Sequence, residues 1–517
     1  MAARALVGKR VLMLDVGRQP VASAVDGLPR NANLYEQRRT APDLFGPLIG
    51  ENFESLHNLH QPPVSLKLKS PGMRYVVDGA DSLSPTRTQG FEPTMSFATG
   101  GLANAWGAGV YRFTAQDLAD FPITVADLDP FYDDLTRHIG ISGALDDTAP
   151  WFGSAADLLP PIELSRFASG LLDGYQRHRD RFHRIGVSIG RARNAVLTRP
   201  HRGREAYQYG NMEFFRAHDP AVFNPAYTLR ELVDAGRVEY LSNHLAVRYR
   251  EVEGFGVEVE ARDLSSGTTE AFAGRTLILA AGALNSAKLV LESNEDYKTR
   301  LPLLDNPMAC LPLFRPQLAG KPLDRLDSSL GQLNLIQEFD GTVLQGSIYG
   351  AAGPLRSDVV FELPLAIRSN VEVLGLLAAA SGLLMMFYPS APHPENHLSL
   401  GSDGTLQLQC RYPEAGCPSR EASIRALIPA FWRIGFLASI KLCPYPPMGA
   451  GIHYAGTLPM KDRPSPYELD PDGRLFGTRS VYVADGACFP RLPSKNLTFT
   501  IMANAMRIAT KIRERVL

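Results

Sequence analysis

Only five cysteines occur in 517 residues, at 310, 410, 417, 443 and 488, and no two form a C-x-x-C pair or a zinc or iron–sulfur spacing. An odd, sparse set excludes a disulfide scaffold and points to a reducing compartment, the cytoplasm. Charge of either sign is not in excess: 53 Lys+Arg stand against 54 Asp+Glu, a net −1. A nucleic-acid partner is therefore not expected, because phosphate binding needs a clustered basic surplus. Long hydrophobic runs are missing as well. Arg4, Lys9 and Arg10 interrupt any signal-peptide core, and no small-residue cleavage site follows. The longest uncharged stretch, residues 373–388 (VLGLLAAASGLLMMFY), falls short of the roughly 18 residues a spanning helix needs. It reads as a buried helix lining a pocket, with membrane contact as the lesser alternative. What is plentiful is glycine (45) and proline (39), with no collagen-like period, which implies tight turns and close backbone approaches. At roughly 150 residues per domain, the length suits three domains or two large interleaved ones.

Residues 10–16 (RVLMLDV) read as a short buried strand ending in Asp15, preceded by the helix-like MAARALVGK. Helix, glycine, strand and terminal acid form the second half of a nucleotide-binding βαβ unit, where the acid meets ribose hydroxyls. The glycine fingerprint of the first half is absent. The three G-x-G pairs, at Gly107/Gly109, Gly254/Gly256 and Gly449/Gly451, all lack the third glycine. Residues 237–291 read as strands, a hairpin, then strand, Ala281–Gly282 turn and helix; residues 480–517 read as strand, polar loop and amphipathic helix. Stretches 115–235 and 295–445 are proline-rich and weakly periodic, as expected of segments inserted over a substrate.

Three loops carry chemistry. GGLANAWGAGVYR, residues 100–112, interleaves Gly100, Gly101, Gly107 and Gly109 with Asn104 and Trp106, so its backbone can lie against a planar ligand. Its bland reading is a glycine-rich surface turn. GAGIHYAGTLPM, residues 449–460, holds a single His453, which alone is as readily structural as catalytic. Asp485–Gly486 ends a strand, and Asn496 precedes a helix start whose free N–H groups favour an anionic ring system; alone, Asn496 is an ordinary cap.

Taken together and in order, these elements resemble the GMC (glucose–methanol–choline) oxidoreductase family. LVGKRVLMLDVG is similar to its GKRVLVLEAG strand, with Asp15 for the usual Glu. GGLANAWGAGVYR is similar to its flavin-facing loop, GRTLILAAGALNSAKLVLES to its VVLAAGALNSPKLLLLS element, HYAGTLPM to its HPxGTxxMG box, and the last forty residues to its C-terminus. The resemblance covers residues 2–18, 96–141, 237–292 and 445–515. It implies an α/β fold, an FAD-binding Rossmann-like (glutathione-reductase-type) domain with an inserted α+β substrate-binding domain. The first would comprise 1–114, 195–300 and 445–517, the second 115–194 and 301–444. It implies that His453 takes the proton of a substrate alcohol while Asn496 orients the alkoxide, so that hydride passes to flavin N5. It assigns FAD contacts to Asp15, Gly100, Gly101, Asn104, Trp106, Gly107, Val247, Ala281, Gly282, Asp485, Gly486 and Thr498. Ala105 stands where some relatives attach flavin through a histidine, so FAD should be non-covalent. The partners implied are a small alcohol, bulky or lipophilic if residues 373–388 line its pocket, and oxygen or another electron acceptor; no metal is expected.

Leu497 and Lys461 replace a proline and a glycine of the family pattern. The larger departure is the missing first strand with its G-x-G-x-x-G. Either the recorded start lies downstream of the true one, which we expect because the other motifs persist, or the chain is a flavin-free relative. An in-frame upstream sequence decides between them. A structural partner in a biosynthetic complex and a reductase or isomerase on the same scaffold stay open as rivals.

Overall fold

The computed structural model describes residues 1–21, 27–32, 68, 70–153, 157–210, 216–350, 369, 373, 375–412 and 418–515. Its Rossmann-like part contains two short parallel ladders. Leu12–Leu14 pairs with Glu239–Leu241, and Leu277–Leu279 with Val481–Val483. Three of these four strands end beside residues singled out in the sequence: Asp15 follows the first, Ala281–Gly282 the third and Asp485 the fourth. The antiparallel sheet His244–Val252, Gly256–Asp263 and Thr269–Gly274 lies between these ladders in the chain. Helix Ala283–Ser293 follows the turn at Gly282, whose φ of 83° is a left-handed conformation that favours glycine. The C-terminal helix Thr498–Arg515 buries Phe499, Met502, Ala503, Met506 and Ala509 in the main core.

Above this lies a five-stranded antiparallel sheet in the order Met308–Phe314, Ser381–Phe387, Thr342–Gly350, Leu333–Phe339 and Val187–Arg191. Alternation gives it two faces. Leu311, Leu333, Leu335, Leu344, Ile348, Leu384 and Met386 form a second core with Phe167 and Leu171 of helix Arg166–Arg177 and with Ile424, Leu427 and Phe431 of helix Arg420–Arg433. Asn334, Gln345, Ser347, Tyr349 and Phe387 stand on the opposite face. A third sheet, mixed, runs Thr86–Gln89, Leu406–Gln409, His397–Leu400 and Leu301–Pro302, and its leucines at 398, 400, 406 and 408 join the first core.

Residues 373–388 do not form one buried helix, since Ala378–Ala380 is a 3-10 turn and Ser381–Phe387 an interior strand of the five-stranded sheet. An interior strand buries both faces, so its sequence is apolar without the period that separates strand from helix. Among the described residues no helix is long and apolar enough to cross a membrane. Cys310, Cys410, Cys443 and Cys488 are buried and free, and Cys417 lies outside the described residues.

Candidate active site

His453 sits in a loop forced into position by its neighbours. Ile452, a β-branched residue, takes a φ of 56°, the left-handed region such residues avoid. The His453 ring stacks on Phe387 with centroids 4.9 Å apart and planes at 32°. Nδ1 lies 3.1 Å from Oδ1 of Asn306. Asn306 is fully buried, and its Nδ2 donates to the carbonyls of Tyr388 at 2.8 Å and Pro493 at 2.9 Å. Both amide hydrogens are thus engaged, which leaves Oδ1 as an acceptor. Nδ1 of His453 therefore carries the proton, and Nε2 keeps its lone pair. Burial pushes the ring down to about 4, so it is neutral at pH 7.

Asp305 underlies the same loop. It is fully buried and accepts from Gly449 N at 2.6 Å, and burial pushes its carboxyl up to about 7. Asn496 comes from the segment before helix Thr498–Arg515. Its Nδ2 reaches the Gly109 carbonyl at 3.5 Å, while Oδ1 is buried without a partner. A Cβ on Gly109 would stand 3.0 Å from Asn496 Nδ2 and 3.1 Å from the Tyr111 hydroxyl, so glycine is what lets the two strips approach. Beneath Asn496, Lys495 pairs with Asp117 in the interior, their side chains 1% and 9% exposed. Nζ also donates to the Trp151 carbonyl at 2.5 Å.

The glycine loop is braced from within. Gly100 and Gly101 have φ of 92° and 61°, and they open the 3-10 turn Gly101–Asn104. Asn104 spends its amide locally. Nδ2 donates to the carbonyls of Thr99 and Gly101, and Oδ1 meets Asn224 Nδ2 at 2.6 Å, Tyr75 Oη at 2.9 Å and His218 Nε2 at 3.0 Å. Trp106 Nε1 donates to the Phe223 carbonyl at 3.0 Å. Gly107 lies under Tyr349, whose hydroxyl would be 3.4 Å from a Cβ there.

The remaining residues singled out in the sequence lie along the parallel ladders. Asp15 is half-buried and accepts from the Tyr240 hydroxyl at 3.0 Å; burial raises its carboxyl against the opposing pull of that bond. Val247 falls in a bulge, between the register pairs of Ala246 and Arg248. Ala281 and Gly282 are exposed. Asp485 turns its carboxylate inward, accepting from Ala487 N at 2.8 Å, Gly282 N at 2.9 Å and Ser286 Oγ at 2.5 Å, and so ties two loops together. A Cβ on Gly486 would stand 2.8 Å from the Tyr454 carbonyl. Thr498, half-buried, begins the last helix.

Sequence reasoning named His453, Asn496 and the glycine loop but missed Asn306, Phe387, Asn334 and Gln345. The last two left a partial signal, since each is an amide among apolar residues of a strand (LNLIQEF, TVLQGSIYG), but Gln337 in the first strand is an equally buried amide on the other face, so the pattern alone does not say which amide meets the site. Asn306 has no comparable local signal.

A family model described as GMC oxidoreductase matches residues 446–505, the stretch that holds both His453 and Asn496. Among solved structures, the chain is similar to pyridoxine 4-oxidase from Mesorbium loti, with a TM-score of 0.62 and 14% identity over 100% of this chain and 98% of that one. It is also similar to a formate oxidase from Aspergillus oryzae RIB40 whose description concerns FAD modification, with a TM-score of 0.53 and 12% identity over 82% and 85% of the two chains. No curated protein matches. The expected α/β architecture, a Rossmann-like part beneath an α+β sheet part, is that of these neighbours. Residues 446–505 thus match the GMC oxidoreductase family model, and the chain around them is similar in fold to the two solved oxidases.

Proposed function

We propose that the chain is an FAD-dependent oxidoreductase that oxidises a primary or secondary alcohol to the carbonyl, with His453 as base and Asn496 as orienting donor. The observation that carries this reading is the His453–Asn306 bond, which leaves Nε2 unprotonated, together with Asn496 across the glycine strip, whose Nδ2 makes a single long contact, 3.5 Å to the Gly109 carbonyl, and so keeps an N–H to donate. A neutral imidazole is the form that accepts a hydroxyl proton. As the O–H proton moves to Nε2, the carbinol C–H leaves with its electron pair and the C–O bond becomes double. FAD, when bound, supplies the two-electron acceptor for that hydride.

The residues fit such a cofactor. Asp15 offers a half-buried carboxylate with one side-chain donor, Tyr240, suited to ribose hydroxyls. The exposed Ala281–Gly282 turn and the bulge at Val247 offer backbone groups, and Gly107 and Gly109 let backbone approach a ring that side chains would block. The division into an FAD-binding part (1–114, 195–300, 445–517) and a cap (115–194, 301–444) belongs to the same proposal. So do the remaining contacts assigned to Gly100, Gly101, Asn104, Trp106, Asp485, Gly486 and Thr498, and oxygen or another molecule as final acceptor.

The test is anaerobic flavin reduction. The protein is reconstituted with FAD and mixed with a panel of alcohols, and bleaching of the flavin absorbance is followed. Bleaching by at least one alcohol, slowed about 100-fold or more by His453→Ala, supports the reading. A protein that stays colourless after reconstitution, or a His453→Ala variant that bleaches as fast as the parent, overturns it.

A further inference from the structure

The face of the five-stranded sheet turned toward His453 and Asn496 carries apolar side chains such as Ile336 and Phe387, and among them two buried amides where apolar residues would have been less costly. Gln345 is fully buried, yet neither its Nε2 nor its Oε1 has a hydrogen-bond partner. Asn334, also fully buried, accepts at Oδ1 from the hydroxyls of Tyr111 at 2.9 Å and Ser347 at 3.3 Å, which fixes its Nδ2 as an unpartnered donor. Buried amides are ordinarily satisfied, and leaving one bare is expensive in an interior.

Register ties both amides to the site. Gln345 is the cross-strand neighbour of Phe387, the residue stacked on His453. Asn334 is opposite Ser347, and Tyr111, which donates to it, abuts Gly109 beside Asn496. Further along the same strand, Tyr349 stands over Gly107. One sheet face therefore spans the site from the base to the orienting amide, and presents a free donor at Asn334 and a free donor–acceptor pair at Gln345. Residues 373–388, the stretch that suggested a lipophilic substrate, contribute Phe387 to this face and send Leu384 and Met386 into the opposite core.

We infer that Gln345 and Asn334 determine specificity, and that the substrate is a compact alcohol with at least two further hydrogen-bonding groups, such as ring nitrogens, amides or additional hydroxyls, rather than a sterol or acyl chain. This rests on the alcohol-oxidising reading above. A site that hydrogen-bonds its substrate rejects the apolar analogue, because its buried amides then stay unpaired.

The test has two arms. In the first, FAD-reconstituted parent and Gln345→Leu are compared on size-matched pairs, hydroxymethylpyridine against benzyl alcohol and glycerol against 1-propanol. The parent is expected to favour at least one polar member by about tenfold or more in kcat/KM, and Gln345→Leu to collapse that ratio chiefly through the polar member's KM. A parent that prefers the apolar members, or a ratio unmoved by the variant, overturns the inference. The second arm needs no turnover. An amide held bare for a ligand destabilises the free protein, so Gln345→Leu should raise the melting temperature by about 1–3 °C. A lower melting temperature means that Gln345 has a structural partner, and sinks the inference. Flavin that no alcohol bleaches defeats the catalytic reading instead, and the melting arm then decides on Gln345 alone.

Discussion

Asn306 and His453 are 147 residues apart in the chain, and the amide of the first fixes which imidazole nitrogen of the second carries the proton. Because Asn306 Nδ2 is held by two backbone carbonyls, the amide cannot turn over without setting oxygen against oxygen. In the proposed reaction it is a positioning residue: its bond leaves Nε2 with the lone pair while the ring lies against Phe387.

Asn306→Leu should lower kcat by about 10- to 100-fold with little change in KM, since neither tautomer nor ring orientation is then enforced. Single-turnover flavin reduction measures this. A variant that keeps parental kcat and pH profile removes Asn306 from the mechanism.

Two groups of opposite sign shape the pH dependence of stability. His453 falls from its ordinary 6.5 to about 4, so its contribution is complete above pH 6.5 and is lost as pH drops toward 4. Asp305 rises from 3.8 to about 7, so its protonated form is favoured and its contribution is lost as pH rises through that window. Asp305→Asn cannot ionise. Urea titrations from about pH 4 to 8 should therefore show it gaining on the parent as pH rises, and a difference that stays flat with pH counts against a buried, shifted Asp305.

Flavin reduction should follow the neutral form of His453. The rate is expected to be level above about pH 6 and to fall toward the ring's value of about 4. An inflection at the ordinary 6.5, measured by stopped flow, would show that the ring is not desolvated in the working enzyme.

Gly109→Ala puts a Cβ 3.0 Å from Asn496 Nδ2, a contact that moves the amide by a few tenths of an ångström. The fold should survive, as Gly109 has no positive φ. The rate of reduction should fall by about tenfold, because catalysis is steep in geometry. Parental rates in a well-folded variant would indicate that Asn496 is not an orienting group.

The Lys495–Asp117 pair anchors the segment that carries Asn496. Lys495→Met leaves a buried carboxylate beside Thr114 and should destabilise the protein by about 3–5 kcal/mol, whereas the double variant Lys495→Met/Asp117→Leu should recover much of that loss. Urea denaturation of the single and double variants decides this. Equal losses in the two would mean that the charges are not coupled.

The sequence by itself determined the contiguous features. The strand–acid, glycine-loop and His-box motifs, the helix that begins after Asn496 and the strands of residues 237–291 are all set within a few residues by turn chemistry and periodicity, and they lie where the sequence placed them. The tertiary structure decided the rest, because pairing and burial act across the chain. Residues 381–387 are strand only because Met308–Phe314 and Thr342–Gly350 flank them. Asn306 meets His453, Lys495 meets Asp117 across 378 residues, and Gln345 faces the site through a register that no local pattern encodes. A side chain's type is written in the sequence, but whether it is satisfied, strained or left bare is fixed by which distant segment packs against it.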